Sequence, residues 1–81
     1  MSRLDRLRAV FRRALNLPAD AAVDDLEYRA IPQWDSLAHM ALVAAMEDEF
    51  SIMIDTDEMI DMSSFARAAE LLEKHGIDAA V

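Results

Sequence analysis

A chain of 81 residues makes one small domain, and with no cysteine, one glycine and two prolines among many alanines, leucines, methionines and glutamates it points to helices rather than to a disulfide framework or a sheet. Its longest apolar run, Met40 to Met46, falls far short of the roughly 20 residues that span a bilayer, so a transmembrane reading is excluded. The net charge of −8 is unevenly spread: Arg3, Arg6, Arg8, Arg12 and Arg13 face only Asp5 in the first thirteen residues, leaving three basic and fifteen acidic side chains in residues 14–81, which should repel nucleic acid and anionic membranes and attract basic protein surfaces.

Ser2 and Asp5 resemble a capping box at the start of a first helix. Leu4, Leu7, Val10, Phe11, Ala14 and Leu15 then fall on one side of that helix, with the arginines mostly on the other. An amphipathic, acid-poor, Arg-rich start is also what a mitochondrial targeting peptide or an anionic-surface contact uses. Removing it, however, would leave too little apolar surface to close a core, so it is read as helix one. Asn16-Leu17-Pro18 should stop the helix, because the residue before proline is pushed out of helical geometry.

From Pro18 to Asp35 the periodicity disappears, and so long a loop in a compact domain needs a reason. Val23, Leu26, Tyr28 and Ile31 are its expected tethers, Asp24 to Arg29 is a candidate helical turn, and Pro32 stiffens the approach to Trp34, a lid over the core.

Asp35 is a good helix N-cap, which puts Ser36 on the first turn of a helix running to about Glu49. A hydroxyl there should point into solvent beside unpaired N–H groups and the positive end of the helix dipole, a setting that favours an attached phosphate. His39, Leu42, Val43, Met46 and Phe50 form the stripe expected in the core. Leu37, Met40, Ala41 and Ala44 fill much of the remaining surface, broken by Glu47 and Asp48. A domain this small cannot bury both faces, so an apolar patch rimmed by acid is expected at the surface as a docking site.

Ile52 and Ile54 read as a tether, and Thr56 as the cap of a short helix over 57–62 that turns Met59, Ile60 and Met62 inward. Ser63 or Ser64 should cap the last helix, whose apolar side is Phe65, Ala68, Ala69, Leu71 and Leu72; Gly76, followed by Ile77, is its expected left-handed stop. His75 is then a favourable group at a helix C-terminus. The expected architecture is all-α: a four-helix bundle over residues 1–81, three helices longer and one short, with a long loop between helices one and two.

Asp35-Ser36-Leu37, followed by an apolar helix ending in Glu47-Asp48-Glu49-Phe50 in a short acidic helical chain, resembles the acyl carrier protein family. The resemblance covers nearly the whole chain. It implies that Ser36 carries 4′-phosphopantetheine, with Asp35 and Leu37 as its motif neighbours, and that the long first loop belongs to the fold. It implies a stand-alone, monomeric, cytoplasmic carrier, not an enzyme, that holds acyl groups as thioesters for fatty-acid, polyketide or other specialised biosynthesis. The partners implied are a phosphopantetheinyl transferase and acyl-transferring, ligase or synthase enzymes with basic patches, docking on Leu37, Met40, Ala44, Glu47 and Asp48. Gln33 stands where the family often has glycine, and Ala38 and Ala41 stand where many fatty-acid carriers are acidic, which directs the expectation to a specialised pathway. An aminoacyl or peptidyl carrier would share fold and anchor, whereas an unmodified helical adaptor would use the same face without one.

Other constellations are weaker. Ser36 and His39 lie three apart on one helix face, as a hydrolase pair would, but without a glycine-flanked nucleophile turn or an oxyanion hole; a half-buried, hydrogen-bonded His39 fits better. Asp55, Asp57, Glu58 and Asp61 suggest a calcium loop, yet the sixth and twelfth positions are Ile60 and Ala66 rather than Gly and Glu, so no metal site is assigned. Six methionines, most of them around the second and third helices, read as adaptable core or, more sharply, as helices that part to shelter an acyl chain, with Ala44 and Ala45 leaving room.

Overall fold

A computed structural model describes residues 3–76, so the start signal at Ser2 and the closing contact of Ile77 lie outside the described residues. Within them are four α-helices, α1 Arg3–Ala14, α2 Ser36–Phe50, α3 Thr56–Asp61 and α4 Phe65–Lys74. Both the class and the long first loop agree with the expectation from the sequence. No helix among the described residues is long and apolar enough to cross a membrane.

The core forms where the helical stripes meet. Leu7, Val10, Phe11 and Leu15 from the first helical segment pack with Leu42, Val43, Met46 and Phe50 of α2 and with Phe65, Ala68, Leu71 and Leu72 of α4. The loop adds Val23 and Trp34, both fully buried. Trp34 is therefore part of the core itself. Its ring meets Phe11 edge-on at 5.3 Å, and Phe11 meets Phe65 at 5.0 Å, so one aromatic series joins the loop to α1 and α4.

The helix ends follow local chemistry. Asn16 is left-handed (φ 57°), with Leu17 N–H donating to Arg12 O and Asn16 N–H to Arg13 O, the hydrogen-bond pair of a Schellman stop. α1 thus ends at Ala14 and leaves through the left-handed Asn16, before the restriction imposed by Pro18 applies. Gly76 (φ 80°) ends α4 in the same left-handed region, as its position in the sequence suggests. Ser64 is the α4 cap, accepting from Arg67 N–H.

The cap of α3 differs from the expectation. It is Asp55, not Thr56: the Asp55 carboxylate accepts from Glu58 N–H at 2.8 Å while the Glu58 carboxylate accepts from Asp55 N–H at 3.1 Å. Glu58 stands three residues after Asp55 and can return the bond, whereas the third residue after Thr56 is Met59 and cannot. A six-residue helix turns only one narrow face inward: Met62, just beyond it, is buried and Met59 half-buried, but Ile60 is 71% exposed.

The helical turn expected over 24–29 is absent. In its place two hydrogen-bonded turns, closed by Leu26 N–H to Val23 O at 3.1 Å and Ala30 N–H to Glu27 O at 3.0 Å, flank Glu27, which forms an antiparallel bridge with Ser64. Tyr28 N–H donates to Ser63 O at 2.8 Å and Phe65 N–H to Leu26 O at 3.0 Å, which pins the loop to the start of α4.

Four of the five arginines of α1 are structural staples. Arg6 donates to the Glu49 side chain and carbonyl and lies 4.7 Å from the Phe50 ring centre; Arg8 grips Asp24 with two nitrogens at 2.8 and 2.9 Å; Arg12 donates to Ala21 O. Arg3, unlike most of the arginines, is buried, with its guanidinium 3.3 Å from Glu73. A long aliphatic stem lets such a side chain cover apolar surface while its charged end reaches a partner at the rim.

α3 is tied to α4 by charge. Glu58 Oε2 lies 3.0 Å from His75 Nε2 and 3.2 Å from Lys74 Nζ. The Glu58 carboxyl is held below the usual carboxylate range, chiefly by the Asp55 N–H and further by Lys74 and His75, against the opposing effect of burial. Because the folded-state value lies below the unfolded one, this stabilisation is complete above the ordinary carboxylate range and fades as pH falls through the lowered value. Glu58→Gln should therefore lower the melting temperature at about pH 7, with the gap to the native chain closing as pH falls through the lowered Glu58 value. Melting followed by circular dichroism at several pH values checks this; a gap unchanged by pH would mean that shape, not charge, holds α3.

Candidate functional site

Asp35 caps α2 as expected, its carboxylate accepting from Ala38 N–H at 2.9 Å and its carbonyl from His39 N–H at 2.8 Å. Such a cap contributes about 1 kcal/mol and fixes where the helix begins. Ser36 is accordingly the first helical residue, and it is exposed.

The hydroxyl does not stand free in solvent. Ser36 Oγ lies 2.9 Å from Tyr28 Oη and accepts from Arg29 Nη2 at 3.2 Å. The loop makes this contact by reversing direction at Arg29, which is left-handed (φ 67°) and donates its N–H to Trp34 O at 3.1 Å. For a non-glycine residue that conformation costs roughly 1–2 kcal/mol, offset here by the closed turn and the pinned Tyr28. The Tyr28 hydroxyl is held below the usual phenol range, first by its hydrogen bond with Ser36 and then by Arg29. By its sequence Tyr28 is only a tether and Arg29 the end of a turn, and neither is marked as part of the site. No local signal marks either residue, because both meet Ser36 only through the way the loop folds back.

His39 is committed elsewhere. Its Nδ1 accepts from Trp34 Nε1–H at 3.0 Å, which leaves the ring proton on Nε2 to donate to Met59 O at 2.8 Å. With both nitrogens engaged, this imidazole is placed to brace Trp34 and α3 rather than to take a proton from Ser36.

Beside Ser36 opens a cleft of about 290 Å³ lined by Tyr28, Ser36, His39, Met40, Met59, Ile60, Met62 and Ser63. Its volume is at the low end for small-molecule sites, and its lining is mainly apolar. The cleft lies among the methionines of α2 and α3 that the sequence marks as adaptable.

The outer face of α2 is as expected for most of its length. Leu37 is 77% and Met40 62% exposed, and Ala41, Ala44 and Asp48 are also exposed. Exposed Ile60 extends the patch across the cleft from Met40. Glu47 is the exception. It is half-buried, and its Oε2 accepts from Ile54 N–H at 2.9 Å, so it tethers the segment between α2 and α3 and is only partly available at the surface. A carboxylate seven residues from a free backbone N–H satisfies that donor once Ser51, left-handed at φ 54°, turns the chain back. Among the described residues, no group of three or more His, Asp or Glu side chains gathers as metal ligands.

Neither a protein-family model nor a curated protein matches this sequence.

Proposed function

We propose that the chain is a carrier domain of the acyl carrier protein type, in which Ser36 bears 4′-phosphopantetheine. The observation that carries this reading is the exposed Ser36 hydroxyl on the first turn of α2, at the mouth of an apolar cleft and beside a cationic side chain. A helix N-terminus and a guanidinium both favour the phosphodiester that such a modification leaves on serine. When attached, the arm supplies a thiol that holds a carboxylic acid as a thioester. Asp35 sets the start of the helix, Ser36 offers the oxygen, and Leu37, Met40, Ala44 and Asp48, with part of Glu47, form the face on which a transferase and acyl-handling enzymes with basic patches would dock. Acid on the carrier and Arg or Lys on the partner speed encounter without requiring a tight grip, which suits a protein that must leave each enzyme. The domain needs no catalytic group of its own for this task.

The test is to incubate the purified protein with a phosphopantetheinyl transferase, Mg²⁺ and coenzyme A and to weigh it intact. A carrier gains one pantetheinyl unit; an unmodified adaptor gains none. Because the chain has no cysteine, a thiol reagent should read nothing before loading and one thiol after it. Whether the cargo enters the cleft is a separate question. Replacing the free arm by a long acyl thioester should shift the methyl resonances of Met46, Met59 and Met62, since Met59 and Met62 line the cleft and Met46 belongs to the core. Shifts confined to Ser36 and Leu37 would mean that the acyl chain stays outside.

A further inference from the structure

We propose that Tyr28 and Arg29 form a clasp that holds the phosphodiester on Ser36 and aims the arm along the apolar cleft. This inference rests on the carrier reading. Both side chains already converge on the oxygen to be esterified, Tyr28 Oη at 2.9 Å and Arg29 Nη2 at 3.2 Å. The Arg29 guanidinium is also held 5.4 Å from the Tyr28 ring centre, a cation–π contact that limits its sweep. Five other cations have acidic partners: Arg3 pairs with Glu73, Arg6 with Glu49, Arg8 with Asp24, Arg67 with Glu70 and Lys74 with Glu58. Arg29, by contrast, is directed at a neutral hydroxyl.

Esterification changes what that hydroxyl can do. Ser36 Oγ loses its proton and becomes a bridging ester oxygen, a poor acceptor, while charged phosphate oxygens appear one bond farther out. Arg29 N–H and Tyr28 O–H then turn to those oxygens, where a planar guanidinium is at its strongest. The added negative charge would otherwise enter a chain already at −8, directly beside Asp35. Tyr28 and Ser36 both line the cleft, so a phosphate drawn to the Tyr28 side starts the arm towards Met59 and Met62 rather than towards Leu37 and Ala41.

Tyr28 is the only tyrosine in the chain, so a spectrophotometric titration of the tyrosinate band reads this residue alone. In the unloaded protein Ser36 and Arg29 favour its ionised form. Loading removes the serine donor and brings an anion close, so the titration midpoint should move to higher pH. In parallel, the Arg29 Nε–H resonance should shift on loading, and the ³¹P resonance of the loaded protein should differ between native chain and Arg29→Asn. Asparagine tolerates the left-handed backbone better than most residues, so this variant removes the cation and keeps the turn; Tyr28→Phe should move the ³¹P resonance as well. Arg13→Gln, which removes the same charge from an exposed site on α1, should leave it unchanged. A native protein that gains the expected mass while its tyrosine midpoint, Arg29 resonance and ³¹P signal in Arg29→Asn all stay in place overturns the clasp and spares the carrier reading. A native protein that gains no mass overturns both.

Discussion

Ser36→Ala should abolish uptake of phosphopantetheine completely while leaving the helix content and melting temperature nearly unchanged. The loss is total because the modification needs an oxygen nucleophile at this position, and alanine has none. The fold should survive because Ser36 contributes nothing to the core and is not the cap: Asp35 is. Alanine is also the best residue for a helix interior. What the variant gives up structurally is the pair of contacts to Tyr28 and Arg29, both exposed to water that competes for the same groups. Intact mass and a thiol count after incubation with transferase and coenzyme A measure the first half of the prediction, and thermal unfolding measures the second. Mass gain that persists in Ser36→Ala would move the anchor to another hydroxyl and remove the ground for the proposed function.

The largest effect on stability is expected at Trp34. It is fully buried and touches Phe11, Tyr28 and His39, with ring centres 5.3, 6.1 and 6.0 Å away. Truncating such a side chain to alanine costs about 3–5 kcal/mol through lost burial and the cavity left behind. Against a total stability of roughly 0.05–0.15 kcal/mol per residue, that is from about a quarter to all of what holds an 81-residue domain folded. Trp34→Phe separates packing from hydrogen bonding. It keeps most of the apolar area but removes the indole N–H, leaving His39 Nδ1 without its donor, at an expected cost of about 1–3 kcal/mol. Urea unfolding followed by far-ultraviolet circular dichroism measures both without relying on tryptophan fluorescence. If Trp34→Ala stayed within about 1 kcal/mol of the native chain, Trp34 would be a dispensable cover and not the joint between loop and core.

The loss at Trp34 should also reach the site. The indole supports His39, His39 supports the Met59 carbonyl, and the Trp34 carbonyl receives the Arg29 N–H. One buried side chain thus links the turn that presents Tyr28 and Arg29 to the wall of the cleft. This is a physical reason for a long loop in a small domain: it contributes two fully buried side chains to the core and two polar ones to the anchor.

What could be read in the sequence were features whose causes act between residues close together in the chain. The Asp35 cap, the Ser64 cap, the left-handed stop at Gly76 and the inward stripes of α1, α2 and α4 depend on spacings of one to four residues, and they appear where local chemistry puts them. The exposure of Leu37 and Met40 followed from an equally simple constraint, since one helix in so small a domain cannot bury its whole circumference. At Asp55 instead of Thr56 a competing local rule prevails, a reciprocal capping pair, whereas over 24–29 the bridge to Ser64 takes the place of a helical turn. Tertiary structure alone decided the rest. Tyr28 and Arg29 reach Ser36 across seven or eight residues, Glu47 reaches Ile54 across seven, and Glu58 meets His75 across seventeen. Arg3 joins Glu73 across seventy. No spacing rule encodes these meetings, because each depends on how the chain folds back and on which polar groups are left to be satisfied once the apolar stripes have closed.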